Sequence, residues 1–532
     1  MLCLLSAPAK AQDARVLQLM SATWSQGVDA ALRQYEALPP ADRVPSLLVS
    51  VADQLLWTGK HDEAIQLLAR AAREAPLLTE VRFQQGRAAL QRADREAALS
   101  AFRSGLAIVD RDTSLAEDTR GSFRRRLENR IAFLDRAQDL LSRSGAYRQP
   151  NGGLLLFKFD PYINTFPALI DPSTGTVRLL YPSGANTLEW RNEQDVKIGE
   201  VTFEDGRGNQ GTLVMRDSVG EVRAAGLGIV QDTLRFETRG AVIEGTLFRP
   251  SGTDRMPAVV LTHGAGLASR YNLATEAIAY ASAGVAAFVY DKPGLGRSAG
   301  ANWLLLSIED QVAYANAALE LLRSRPDIAR VGVWGFSQGG WVAPMVAARN
   351  SDVVFVVIVS GAGVSPQEQN NQAVALRLRT AGIAPELVDD AMRHLQAVWR
   401  RVNSGVRIAD LSDLYDSVQT TPWGSQVPRL TFQWELDWWR ENNVDASIAL
   451  RSIRVPVLAL FGEKDEAVPP RDNVPLIARY LAESETGDLS IVVLPTANHQ
   501  MMLADNYHPL YLATMVAWIV SRVAAERLGV AR

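Results

Sequence analysis

The chain has 532 residues, a formal net charge of −4 and a hydrophobic fraction of 47%. That length exceeds what one domain usually needs, the apolar fraction supplies a large core, and the balanced charge gives nucleic acid or an anionic membrane no electrostatic hold. No apolar run is long enough to span a bilayer, and Cys3 is the sole cysteine, so no intrachain disulfide can form.

The first residues, "MLCLLSAPAKAQDA", hold a short apolar run and then Ala9-Lys10-Ala11, an A-x-A-like cleavage site. The expectation over 1–13 is the remnant of a signal peptide, and hence a periplasmic or secreted protein. A cytoplasmic chain with an ordinary N-terminus is the alternative. From 14 to 148 apolar residues recur at helical spacing, as in "DEAIQLLARAA" and "REAALSAFRSGLAIV". The two stretches align with Ala64 on Ala97, close to a 34-residue period, and the region resembles tetratricopeptide repeats with two legible units. That resemblance implies a groove for a peptide or protein partner; a helical packing module without a ligand is the competing expectation.

From 149 to 230 the texture changes to short, alternating segments broken by turn residues: "GGLLLFKFD", "TVRLLYP", "IGEVTFED", "GTLVMRD" and "EVRAAGLG". These predict a small antiparallel β segment with no catalytic spacing, packed beside the next domain or shaping its entrance. From 231 to 532 apolar, β-branched runs such as "PAVVLTHG", "VAAFVYD", "RVGVWGF", "VVFVVIVSG" and "VPVLALFG" alternate with helical stretches. Buried parallel strands read this way, so the expectation is a doubly wound, mostly parallel α/β domain opened by a hairpin in "DTLRFETRGAVIEGTLFRP". Residues 364–454 interrupt it. They read as helices and hold Trp399, Trp423, Trp434, Trp438 and Trp439, which predicts a helical cap over the carboxyl ends of the strands.

The pattern G-x-S-x-G occurs twice, at Ser298 in "GRSAG" and at Ser337 in "GFSQG". A serine nucleophile needs a sharp turn directly between a strand and a helix. Ser337 meets that condition: "RVGVW" runs into it and "GWVAPMVAARN" follows as a helix, with Pro344 early in it. Ser298 does not, because "KPGLG" separates it from its strand and more loop follows.

A serine hydroxyl needs a base. Of His61, His263, His394, His499 and His508, chain order and strand-end position select His499 in "PTANHQM". Asp465, in "GEKDEAVP", is the orienting acid, with Glu463 and Glu466 as solvated or structural neighbours. The oxyanion donors expected are the backbone amides of Gln338 and of Ala265, with Gly264 as the close rival. His263 belongs to the same loop and is read as its support.

Taken in order, "LTHGAG", "YDKPGLGRSAG", "VGVWGFSQGGWVAP", "VPVLALFGEKDEAVPP" and "PTANHQM" resemble an α/β-hydrolase, nearest to serine esterases of the dienelactone-hydrolase-like and prolyl-oligopeptidase-like groups. The resemblance covers 231–532. It implies cleavage of carboxylic esters through an acyl-enzyme, with Ser337, Asp465 and His499 as triad and "YDKPGLGRS" as a structural loop. No metal or organic cofactor is expected, since nothing has zinc-ligand or nucleotide-binding spacing. The expected partner is a small-molecule ester. The alternatives are an exopeptidase or acyl-peptide hydrolase, and a partner-binding protein whose hydrolase domain is inert.

Overall fold

The computed structural model describes residues 13–527 except 164, 165, 205, 207, 253 and 254. The leader-like segment over 1–13 therefore falls, but for Asp13, outside the described residues.

Among the described residues, eight α-helices come first: α1 (Ala14–Gln26), α2 (Val28–Glu36), α3 (Pro45–Trp57), α4 (His61–Glu74), α5 (Thr79–Gln91), α6 (Arg95–Ile108), α7 (Glu117–Asp135) and α8 (Ala137–Arg143). The pairs α3–α4 and α5–α6 start 34 residues apart. Their turns repeat as well: Gly59 and Ala93 both adopt positive φ. The equivalent small residues at the helix crossing are Ala64 and Ala98, both fully buried. The sequence alignment of Ala64 on Ala97 is thus one residue out of phase, a slip that local similarity permits and helix packing does not.

The sheet that follows is larger than the sequence suggests. Its nine strands are β1 (Gly145–Arg148), β2 (Leu154–Lys158), β3 (Ala168–Ile170), β4 (Val177–Leu179), β5 (Tyr181–Pro182), β6 (Thr187–Arg191), β7 (Lys197–Glu204), β8 (Thr212–Asp217) and β9 (Gly220–Gly226), in the order 4-3-2-1-9-8-7-6-5. It begins at Gly145, inside the stretch read as helical, and β3 and β6 escape the strand pattern. The two edge strands, β4 and β5, flank the single residue Leu180, so the sheet rolls until its edges approach. Phe157, Trp190 and Phe203 fill the roll, with Phe133 and Leu140 reaching in from α7 and α8. Alternate residues, Ala146, Leu156 and Ile170, face outward onto the next domain.

The main sheet of that domain has eight strands: β10 (Val230–Thr238), β11 (Ala241–Arg249), β12 (Met256–Thr262), β13 (Ala286–Tyr290), β14 (Ile328–Phe336), β15 (Val353–Val359), β16 (Val457–Gly462) and β17 (Leu489–Leu494), in the order 10-11-13-12-14-15-16-17. β10 and β11 form the antiparallel hairpin, turning through Arg239 and Gly240, both at positive φ. β12 to β17 run parallel. Both faces of the sheet are covered: Ala258, Val260, Val333 and Ile358 enter one core, while Val259, Leu261, Trp334 and Val357 enter the other. Helices α9 (Ala274–Ser282), α10 (Ile308–Arg323) and α11 (Gly339–Arg349) lie between the strands. α12 (Pro366–Thr380), α13 (Pro385–Asn403), α14 (Ser412–Asp416), α15 (Gln433–Glu441) and α16 (Ala446–Arg451) make the cap; α17 (Pro470–Ala482) and α18 (Leu510–Arg527) complete the domain. Pro344 is the sixth residue of α11, beyond the first turn, so the helix lacks the amide that would bond the Gly340 carbonyl.

The helical region is docked, not free. Thr58, in the α3–α4 turn, accepts a hydrogen bond from Asn302 Nδ2 at 2.7 Å, and Gln91, at the α5–α6 turn, accepts one from the Gly296 amide at 2.8 Å. Trp24 of α1 packs on Trp434 of the cap, ring centroids 5.1 Å apart. Both repeat turns therefore meet the loop that carries Ser298. Its root is a buried charge network: Arg270 donates to Asp291 Oδ2 at 2.6 Å and to Glu244 Oε1 at 2.8 Å, with all three side chains out of solvent. Removing one partner strands the other charge in the interior. Asp291→Ala is expected to cost about 3–5 kcal/mol, read as a lower urea midpoint than that of the unmodified chain.

Candidate active site

Ser337 follows β14 without an intervening residue and has φ of +53°. A left-handed serine costs about 1–3 kcal/mol, and the surroundings enforce it. The Ser337 amide is held by the Val359 carbonyl at 2.8 Å. Gly335 and Gly339 permit the turn: a Cβ on Gly335 would lie 1.9 Å from the Gly339 oxygen, and one on Gly339 would lie 2.7 Å from the Thr262 oxygen. The hydroxyl is thereby aimed off the end of the sheet, with α11 starting behind it.

His499 Nε2 lies 2.9 Å from Ser337 Oγ, and its Nδ1 lies 2.8 Å from Asp465 Oδ2. Asp465 is fully buried, and its other oxygen accepts the amides of Ala467 and Val468 at 2.9 and 2.7 Å. The carboxylate is thus fixed by its own turn before it orients the imidazole. Glu463 is exposed and accepts the Thr496 amide at 2.8 Å, tying the acid loop to the histidine loop; Glu466 is exposed. His508 instead accepts the Leu510 amide at the start of α18, 3.2 Å away. His61 pairs with Gln91 in the helical region, and His394 packs beside Trp423 in the cap.

Gln338 and Ala265 both line the cavity in front of Ser337, and neither amide donates to a protein acceptor among the described residues. Gly264 lies behind them; a Cβ there would sit 3.2 Å from Ser337 Cβ. Of the two candidates for the second donor, it is Ala265 that faces the cavity.

Two supports, Lys292 and Ser360, were not legible as motifs, while His263 holds its loop as the sequence suggests. Lys292, fully enclosed, donates to the carbonyls of Gly264 at 2.6 Å and Gly266 at 3.0 Å, and burial pushes its ammonium down to about 7. It grips both ends of the loop that carries Ala265. His263 Nε2 donates to the Tyr290 carbonyl at 2.7 Å; burial, followed by Lys292 nearby, brings its pKa to about 3, so it stays neutral. Ser360 Oγ donates to the His499 carbonyl at 2.9 Å. Ser298 lies apart from the triad and holds the loop together, its Oγ donating to the Asp291 carbonyl at 2.9 Å and accepting the Glu244 amide at 3.0 Å.

The cavity itself is about 130 Å³, walled by Trp341, Trp438 and Trp439. A separate cavity of about 370 Å³, lined by Asp53, Arg87 and Arg126 of the helical region, contains none of this machinery. The cap tryptophans divide by role. Trp438 and Trp439 face the catalytic cavity, Trp399 packs against Trp439 in a tilted pair with ring centroids 5.1 Å apart, Trp423 is buried within the cap, and Trp434 meets Trp24.

The sheet order, with one antiparallel pair leading six parallel strands, and the strand–serine–helix elbow give the chain an α/β-hydrolase fold. Residues 254–506, just under half of the chain, match the family Hydrolase_4, described as serine aminopeptidase, S33. The chain is similar to Esterase EstD of Thermotoga maritima, 25% identical over 338 residues that cover 59% of this chain and 74% of that protein. It is also similar to the quorum-quenching protein AidA of Acinetobacter baumannii, 30% identical over 126 residues, 23% of this chain and 41% of that one. Among solved structures, the Pyrococcus furiosus esterase PF2001 aligns at a TM-score of 0.37 and 16% identity, over 57% of this chain and 92% of its own.

Since Lys292 anchors the Ala265 loop, Lys292→Met is expected to slow fluorophosphonate labelling of Ser337 roughly tenfold to a hundredfold, followed by the rate of probe incorporation.

Proposed function

We propose that this protein hydrolyses carboxylic esters through an acyl-enzyme on Ser337, with His499 as base and Asp465 as the acid that orients it. The observation that carries the reading is the continuous hydrogen-bonded chain from Ser337 Oγ through His499 to Asp465, at 2.9 and 2.8 Å. His499 takes the Ser337 proton as Oγ attacks the acyl carbonyl. The amides of Gln338 and Ala265 hold the resulting oxyanion. The alcohol departs with the proton from His499, and water then repeats the sequence on the acyl-enzyme.

The chain is a carboxylic ester hydrolase, and the likeness to Esterase EstD points the same way. The family description names aminopeptidases, whose substrates present an ammonium group. An ammonium needs a carboxylate to receive it, and among the described residues no acidic side chain lines the catalytic cavity. Esters therefore fit better than peptides with a free amino end. The helical region fits the role of a brace for the cap and for the Ser298 loop, because its repeat turns are already occupied by Gly296 and Asn302. A partner groove is the weaker reading of it.

Ser337→Ala should lower turnover of p-nitrophenyl esters at least about a thousandfold and abolish fluorophosphonate labelling, while aminoacyl anilides are cleaved poorly by the unmodified chain. Retained esterase activity in Ser337→Ala would overturn the mechanism, and faster cleavage of the anilides would overturn the choice of substrate.

A further inference from the structure

Among the described residues, one cation faces the catalytic cavity without a counter-charge. α12 presents Pro366, Gln369, Ala373 and Arg377 to it, at spacings of three, four and four residues, so one stripe of one helix makes this wall. The stripe is graded. Gln369 is anchored near the triad, since its Nε2 donates to the Ala467 carbonyl beside the Asp465 turn. Ala373, one turn on, is buried and small, and leaves room. Arg377 comes two turns after Gln369, roughly 12 Å along the axis at 1.5 Å per residue. Helical side chains lean toward the N-terminus, so the Arg377 stem is directed back toward the space that Ala373 leaves.

Arg377 is half-buried, and its guanidinium makes no hydrogen bond, ion pair or ring contact among the described residues. Several other long side chains of the cap are engaged. Arg401 pairs with Asp413, Arg440 with Asp437, and the Trp399 and Trp438 indoles donate to Asn371 and to the Leu306 carbonyl. The aromatic wall beside Arg377 is therefore rigid. Among the described residues lining the cavity, Arg377 is also the sole lysine or arginine, and none is an aspartate or glutamate.

We propose that Arg377 is a specificity-determining residue that receives a carboxylate carried by the substrate at the end remote from the scissile ester. The substrate class is the half-ester of a dicarboxylic acid, or an ester whose alcohol bears a carboxylate. A short apolar linker lies along Ala373 between the tryptophans, and the guanidinium fork takes the carboxylate through two parallel N–H···O bonds. The same cation repels an ammonium, which agrees with the absence of an anchor for a peptide amino terminus among the described residues. This inference rests on the reading of Ser337 as the nucleophile of an ester hydrolase and names the substrates of that site.

The test reads binding apart from turnover. In a Ser337→Ala background, calorimetry measures the affinity for monomethyl glutarate and monomethyl adipate against the neutral methyl pentanoate. Adding Arg377→Met should weaken the half-esters at least about tenfold more than the neutral ester, Arg377→Lys, which keeps the charge but not the fork, should retain only part of the preference, and added salt should diminish it. Equal losses for charged and neutral ligands, or no loss for either, would overturn the proposal. With Ser337 restored, the ratio of kcat/KM for p-nitrophenyl hemiglutarate over p-nitrophenyl pentanoate should fall by a similar factor in Arg377→Met. Because the first measurement needs no catalysis, a chain that cleaved no ester would sink the catalytic reading while leaving the anion subsite to be judged on affinity alone.

Discussion

The carboxylate of Asp291 is the point from which most of this architecture is held. It ends the strand next to β12, lies out of solvent, and accepts from the Arg270 guanidinium, the Arg270 amide and the Arg297 amide. A Cβ on Gly296 would fall 2.2 Å from its Oδ2, so the loop folds directly over it. A charge buried this deeply is tolerated only when it is fully paired, and the pairing fixes the geometry of everything attached. The next residue, Lys292, carries that geometry to the Gly264 and Gly266 carbonyls, and so to the Ala265 amide. Further along, the same loop offers Gly296 and Asn302 to the two helix-pair turns. The loop from 263 to 266 and the seam with the N-terminal helices are thus positioned by one network.

This explains why the shared five-residue pattern has two outcomes. Around Ser337 the glycines allow backbone to approach backbone, strand to helix, and the serine is pushed into left-handed conformation with its oxygen outward. Around Ser298 the glycines allow a loop to wrap a buried carboxylate, and the serine turns inward to bond the Asp291 carbonyl and the Glu244 amide. The pattern states only that small residues flank a hydroxyl. Whether a strand ends at that serine decides which way the hydroxyl points, and strand ends are legible from runs such as "RVGVW".

Much of the site was readable for that reason. Ser337, Asp465 and His499 each sit just past an apolar, β-branched run, where parallel sheets place their loops on one edge. Chain order then pairs them. Lys292, Ser360 and Arg377 were not readable, because their roles depend on carbonyls or cavities contributed by distant segments. A lysine after a strand is ordinarily a surface residue; only the fold shows that it is enclosed by the loop from 263 to 266. The rolled sheet was underestimated for a related cause. Strands of three residues, such as Ala168–Ile170, carry too few alternations to register, and Gly145–Arg148 continues straight out of a helical stretch.

The cap shows most plainly what composition conceals. Five tryptophans in one insertion suggest an aromatic binding site, yet only Trp438 and Trp439 of them reach the cavity. Trp399 fixes Trp439 in place, Trp423 is core, and Trp434 belongs to the junction with α1. The cap is clasped, through Trp434, by helices that are themselves seated on the Asp291 loop. The wall that carries Gln369, Ala373 and Arg377 is held at its triad end by the bond from Gln369 to the Ala467 carbonyl. The helix fixes where the Arg377 side chain starts, and its guanidinium, unpartnered among the described residues, is left for a substrate anion to order.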